Sequence, residues 1–114
     1  MRLNYIIFLS MLLLLASCAG RGTISVKNDL PYVTLDDVSW GEYNLTNSLT
    51  SGETTVPKEI VDEKNKYPKM NPLEFYMVRA GKRVCLRTKQ IYTMDNDGDL
   101  LIVIKDTTAV VNPF

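Results

Sequence analysis

The chain opens on an apolar block and then changes rhythm. From Tyr5 to Ala16 every residue is apolar except Ser10. After Cys18 the apolar positions shorten and mostly alternate with polar ones. Thr23-Ile24-Ser25-Val26-Lys27 puts Ile24 and Val26 on one face, which predicts a first strand. Asn28-Asp29-Leu30-Pro31 has the composition of a turn. A second strand region runs from Tyr32 to Trp40 and contains a change of phase. Val33 and Leu35 share one face, whereas Val38 and Trp40 follow the opposite one, with Asp36-Asp37 between them. A β-bulge at Asp36-Asp37 returns both pairs to the core side. Trp40 is then expected in the core, or as a lid over an open end of the sheet.

Residues 41–53 are rich in Gly, Asn, Ser and Thr. They predict a loop with a short strand at Tyr43-Asn44-Leu45 and a turn at Ser51-Gly52-Glu53. Residues 54–61 read as a strand; the rival is a short helix opened by Pro57 and ending near Lys66. The strand is preferred, at a sheet edge, because Pro57 has no N–H to donate. Asp62 to Asn71 is charged and reads as a solvated loop. Leu73–Ala80 and Arg83–Thr93 predict a β-hairpin around Ala80-Gly81-Lys82. Leu100 to Ile104 are five consecutive aliphatics, which predicts a central strand buried on both faces. Ala109-Val110-Val111 extends that strand or makes a short last one. The fold expected is all-β, with about seven to eight short strands. It is a small antiparallel β-sandwich, immunoglobulin-like, or a small barrel, following an N-terminal signal helix.

The apolar block has the parts of a secretory signal peptide: Arg2 before it and the small Ser17 after it. It is shorter than the roughly 20 apolar residues that a membrane-spanning helix needs. Leu15-Ala16-Ser17-Cys18 resembles the lipobox of bacterial lipoproteins. The resemblance covers residues 1–18 and implies cleavage just before Cys18. It further implies a diacylglycerol on the Cys18 sulfur and an acyl chain on its freed amine. Two or three chains would hold the protein in a bilayer far more firmly than the marginal binding of one. Ala19 stands where enteric lipoproteins retained in the inner membrane carry Asp, and no acidic run follows Cys18. By resemblance, the expected place is the bacterial cell envelope, on the outer membrane facing the periplasm. The chain then divides into a signal peptide over 1–17, the lipidated Cys and a tether over 18–22, and one β domain over 23–114.

Composition narrows the chemistry. Arg2 is the only charged residue before Cys18, so the mature chain keeps 12 of 13 basic residues against 13 acidic ones, a net of −1. That balance argues against a nucleic-acid partner. With Cys18 lipidated, Cys85 has no disulfide partner, and the fold must be held by its core. Histidine is absent, which excludes the Ser-His-Asp triad, the Cys-His dyad and His-based zinc sites. No cofactor is expected. Cys85 reads as a structural thiol, and Arg83 and Arg87 beside it are the competing reason for activation.

Two stretches carry candidate sites. Asp95-Asn96-Asp97-Gly98-Asp99 resembles an EF-hand calcium loop, with Asp95, Asp97 and Asp99 at positions 1, 3 and 5 and Asp106 at 12. Leu100 occupies the position of the required Gly, and position 12 carries Asp instead of Glu. A hairpin turn at Asp97-Gly98 is therefore preferred to a metal site. In the second arm of the hairpin, Val84, Leu86 and Thr88 share one face; Arg83, Cys85, Arg87 and Lys89 share the other. Arg79, Arg83, Arg87 and Lys89 are thus a candidate cationic strip for lipid phosphates or an acidic glycan. The competing reading is a solvated face with cross-strand ion pairs.

The function expected is that of a membrane-anchored envelope lipoprotein whose non-catalytic β domain binds a protein or glycan, or scaffolds an assembly. The alternatives are an inhibitor of a periplasmic enzyme and a small carboxylate-based hydrolase. A protruding loop at 41–53 or 62–72 favours the inhibitor. Two carboxyls facing each other across a groove favour the hydrolase.

Overall fold

Gly20 already belongs to a strand. In the computed structural model, which describes residues 19–114, ten strands form. They are β1 (Gly20–Asn28), β2 (Thr34–Trp40), β3 (Tyr43–Leu49), β4 (Lys58–Asp62) and β5 (Lys69–Asn71), then β6 (Leu73–Arg79), β7 (Lys82–Thr88), β8 (Tyr92–Met94), β9 (Asp99–Ile104) and β10 (Val110–Val111). A three-stranded sheet has the order β4-β1-β9, a five-stranded sheet the order β10-β7-β6-β2-β3, and β5 pairs with β8. The domain is all-β, as the alternation predicts. One buried cluster joins the sheets: Ile24, Val26, Ile60, Ile102 and Ile104 from the smaller one, with Leu35, Val38, Trp40, Leu49, Leu73 and Phe75 from the larger. Each such side chain, fully buried, contributes about 1.5–3 kcal/mol.

Residues 20–22, expected in a flexible tether, are paired with β4 as Gly20↔Asp62, Arg21↔Val61 and Gly22↔Ile60. The glycines serve close approach. A Cβ on Gly22 would stand 2.5 Å from the Met94 sulfur, and one on Gly20 would collide with Asn65 and Tyr67. β1 continues in parallel with β9 from Thr23↔Asp99 to Asn28↔Ile104, the one parallel pair among the described strands. The aliphatic run 100–104 was expected at the centre of a sheet; it lies at an edge, and β1 takes the centre. Ile102 and Ile104 fill the core, while Leu101 is 57% exposed on the outer face. An aliphatic run reports which faces are apolar and says nothing about how many neighbours bond the strand.

The bulge in β2 is present. Pairing with β6 shifts between Asp36 and Ser39, Asp37 takes φ 48°, and Val33, Leu35, Val38 and Trp40 are all buried. The loop expected over 41–53 is mostly strand β3, paired with β2 through a tight turn in which Gly41 has φ 61°. Its Asn, Thr and Ser positions belong to an edge strand whose outer face meets water. The strand expected over 54–61 is split. Thr55 exchanges hydrogen bonds with Val26, Val56 swings out to solvent, and regular pairing resumes at Lys58. Pro57 sits at that break, where no ladder donor is required.

The β6–β7 hairpin turns at Ala80-Gly81, with φ 51° and 77°, the left-handed pair of a type I′ turn. β7 stops at Thr88, short of the expected Thr93. Pairing ends at Glu74↔Arg87 and resumes at Asn71↔Tyr92, so the arms bend out of the sheet and continue as β5 and β8. The solvated loop expected over 62–71 therefore ends in a strand.

The turn before β9 is centred on Asn96-Asp97, with the Gly98 N–H donating to the Asp95 carbonyl at 2.9 Å and Asp97 at φ 61°. It does not close a hairpin, because β8 and β9 lie in different sheets. Instead it binds the start of β1. The Asp97 N–H donates to the Arg21 carbonyl at 2.6 Å, and the Arg21 N–H donates to Asn96 Oδ1 at 3.0 Å.

Candidate functional site

The outer face of the five-stranded sheet brings Asp37, Glu74, Arg83 and Arg87 together with Cys85. Register sets who meets whom: Glu74↔Arg87, Tyr76↔Cys85 and Val78↔Arg83 across β6–β7, with Asp36↔Tyr76 and Ser39↔Glu74 from β2. The bulge turns Asp37 outward, and its Oδ2 meets Arg83 Nη2 at 2.7 Å. The Arg83 guanidinium carbon lies 3.9 Å from the centre of the Tyr76 ring, a cation–π contact. Arg87 Nε and Nη2 both donate to Glu74 Oε1, at 2.6 and 2.5 Å. Beside these pairs is an open cleft of about 320 Å³, lined by Asp37, Ser39, Glu74, Tyr76, Cys85 and Arg87 and by Pro113 and Phe114. Phe114 is 94% exposed at its rim.

This arrangement divides the expected cationic strip. Arg83 and Arg87 share the outer face, as the alternation predicts, but each is bound to a carboxylate from a neighbouring strand. Arg79 pairs with Lys82 across the hairpin, one residue out of phase with Arg83, and so belongs to the opposite face. Lys89 lies beyond the end of β7, where its N–H donates to the Ala109 carbonyl. The face is thus an ion-paired surface. Each exposed pair is worth roughly 0–1 kcal/mol, so the pairs shape the surface more than they hold the fold. Glu74 and Tyr76 did not enter the sequence reading; counting back from the Ala80-Gly81 turn would have placed both opposite Arg87 and Cys85.

Asp95 and Asp97 serve the turn through their backbone, the Asp95 carbonyl accepting from the Gly98 N–H and the Asp97 N–H donating to the Arg21 carbonyl. Asp99 Oδ1 accepts from Thr23 Oγ1 at 2.6 Å. Asp106 lies beyond the far end of β9, and an extended strand of this length carries it roughly 20 Å away. No group of three or more Asp, Glu or Cys converges among the described residues. Trp40 is fully buried, with its indole N–H donating to the Asn71 carbonyl at 3.0 Å, so its ring is not available for stacking on a sugar.

A second polar cluster stands where the chain enters β1. Asp62 Oδ2 and Lys69 Nζ are 2.9 Å apart, with only 15% of either side chain exposed. Lys69 also lies 5.3 Å from the Tyr67 ring centre and 5.9 Å from that of Tyr43. The Lys69 hydrogen bond holds the Asp62 carboxyl below its usual value, helped by the Lys64 N–H. The same bond raises the Lys69 ammonium. Burial raises the Tyr67 phenol, whose hydroxyl donates to the Ile60 carbonyl at 2.7 Å. Cys18 lies outside the described residues. No family model, no curated protein and no solved structure matches the chain.

Proposed function

We propose that the protein is a lipoprotein of the bacterial envelope, anchored through Cys18 on the outer membrane facing the periplasm, and that its β domain is a non-catalytic binding module. The observation that carries this reading is the outer-face cleft. Its charges are already matched within the protein, and its rim offers the rings of Tyr76 and Phe114 and the Cys85 thiol. Aromatic rings are enriched where proteins bind partners, and here they stand beside matched ion pairs. A protein or glycan segment could lie there without leaving a buried charge unpaired. Of the two loops an inhibitor could use, residues 41–53 are largely strand β3, which leaves the turn after Asp62. The carboxyls beside the cleft, Asp37 and Glu74, are each engaged by an arginine, which favours binding over hydrolysis. The test is a photocrosslinking amino acid at Phe114, with Thr107 as the control position, in intact envelopes. A discrete adduct from position 114 that disappears with Tyr76→Ala supports the reading. Identical adducts from both positions would sink it.

A further inference from the structure

We propose that the end of the sandwich where β1 begins rests directly on the bilayer, with Lys64 and Lys66 contacting anionic headgroup phosphates. This deepens the anchoring proposed above and rests on it. Only Ala19 separates Cys18 from Gly20, and Gly20 is already paired with Asp62. A residue spans at most about 3.6 Å, so the domain starts within roughly 7 Å of the lipidated backbone. β4 runs antiparallel to β1. Past Asp62 the chain therefore continues in the direction in which Ala19 lies. The turn over 63–66 projects to the level of the anchor.

That turn is held in shape. Asp62 Oδ1 accepts from the Lys64 N–H at 2.9 Å, Asp62 Oδ2 from the Lys66 N–H at 3.3 Å, and the Asp62 carbonyl from the Asn65 N–H at 3.0 Å. Lys69 neutralises the same carboxylate. Lys64 and Lys66 are exposed, and neither has a carboxylate partner among the described residues. The acidic turn at 95–98 lies at the same end of the sheet: the Asp97 N–H bonds to the Arg21 carbonyl, one residue along β1 from Gly20, and Asp99 pairs with Thr23, three residues along. The turn over 63–66 also holds one exposed carboxylate, Glu63; with Asp62 matched by Lys69, Lys64 and Lys66 leave it one net positive charge.

The lipidated protein is reconstituted in vesicles of phosphatidylglycerol and phosphatidylcholine. In a Cys85→Ser background, a nitroxide is attached through Glu63→Cys at the turn or through Asp106→Cys at the opposite end. Collisions with a water-soluble nickel chelate are measured. The expected result is several-fold shielding at position 63 relative to 106. Shielding should be lost in the Lys64→Gln/Lys66→Gln variant, and also when a Gly/Ser spacer is inserted between Ala19 and Gly20. Equal accessibility at both positions, on protein that floats with the vesicles, overturns the contact and leaves the anchor standing. Shielding unchanged by the double glutamine variant overturns the role of the two lysines. Protein that does not float with the vesicles overturns the anchor itself.

Discussion

Asn28 is the residue whose loss the structure makes most costly for its size. It is fully buried at the end of β1. Its Nδ2 donates to the carbonyls of Val33 at 2.8 Å and Leu49 at 3.0 Å, and its Oδ1 accepts from the Leu30 N–H at 3.1 Å. One amide thereby ties β1 to the start of β2 and the end of β3. Asn28→Ala leaves one donor and two acceptors of the backbone without their partner. Each orphaned buried group costs about 1–3 kcal/mol, and with some relief from entering water the total is about 3–5 kcal/mol. A domain of this size has a net stability of about 5–15 kcal/mol, so the variant gives up a large part of it. The assay is a urea titration followed by the emission of Trp40, the single tryptophan and a fully buried one. With a slope of about 2 kcal/mol per molar urea, the midpoint should fall by about 2 M. Asn28→Asp sharpens the test, because it keeps the acceptor and loses both donors. Its carboxylate would face two carbonyl oxygens, so its folded pKa must be raised above the unfolded value of about 3.9. The penalty then grows as pH rises through that window, and the gap to wild type narrows from pH 7 toward pH 4. Asn28→Ala within about 0.5 kcal/mol of wild type would refute the reasoning, since that is the scatter of an ordinary surface change.

Three further outcomes are expected. Cys18→Ala should abolish incorporation of a fatty-acid analogue; label equal to wild type would remove the anchor. The lowered carboxyl of Asp62 contributes stability above its unfolded pKa, which is lost as pH falls through the lower folded value. The raised Lys69 and Tyr67 contribute below their unfolded values and are lost as pH climbs above about 10. Unfolding curves of Asp62→Asn and Lys69→Met should therefore be flatter at the acid and alkaline ends respectively; curves parallel to wild type would contradict the assignment. Cys85, half-buried opposite Tyr76, should tolerate Ser within about 1 kcal/mol. Its alkylation should be several-fold slower in the folded protein than in urea, and a faster rate in the folded protein would show an activated thiol.

Features written in local pattern were legible before any coordinates. The phase change between Leu35 and Val38 required a bulge, and the bulge is there. Ala80-Gly81 demanded a tight hairpin, and both residues adopt the left-handed conformation such a turn uses. What stayed hidden depends on partners distant in the chain. The β3 residues look like a loop because an edge strand on water needs few apolar positions. Gly20 and Gly22 look like a tether because nothing local shows that Met94 and Tyr67 close over them. Asn28 looks like a turn residue because its two acceptors lie five and twenty-one positions away. The charged face was half legible. Alternation put Arg83 and Arg87 on one side, but their neutralisation by Asp37 and Glu74 depends on strand order.

The placement of β1 joins these observations to the anchor. Its first half is bonded to β4 on one side, and the rest is bonded to β9 on the other. Beyond Ile24 the vacated β4 side is taken up by residues 52–55, through Thr55 to Val26, Thr54 to Lys27 and Gly52 to Asn28. A pull on Cys18 along the strand would therefore load ladders on both flanks of the central strand at once, in shear. An anchor attached to an edge strand would load a single ladder. Shear along paired strands loads many bonds together, and it suits a domain that must keep its shape without slack at its tether. Glycines stand at 20 and 22 because only residues without a Cβ fit there beneath the side chains of Tyr67 and Met94.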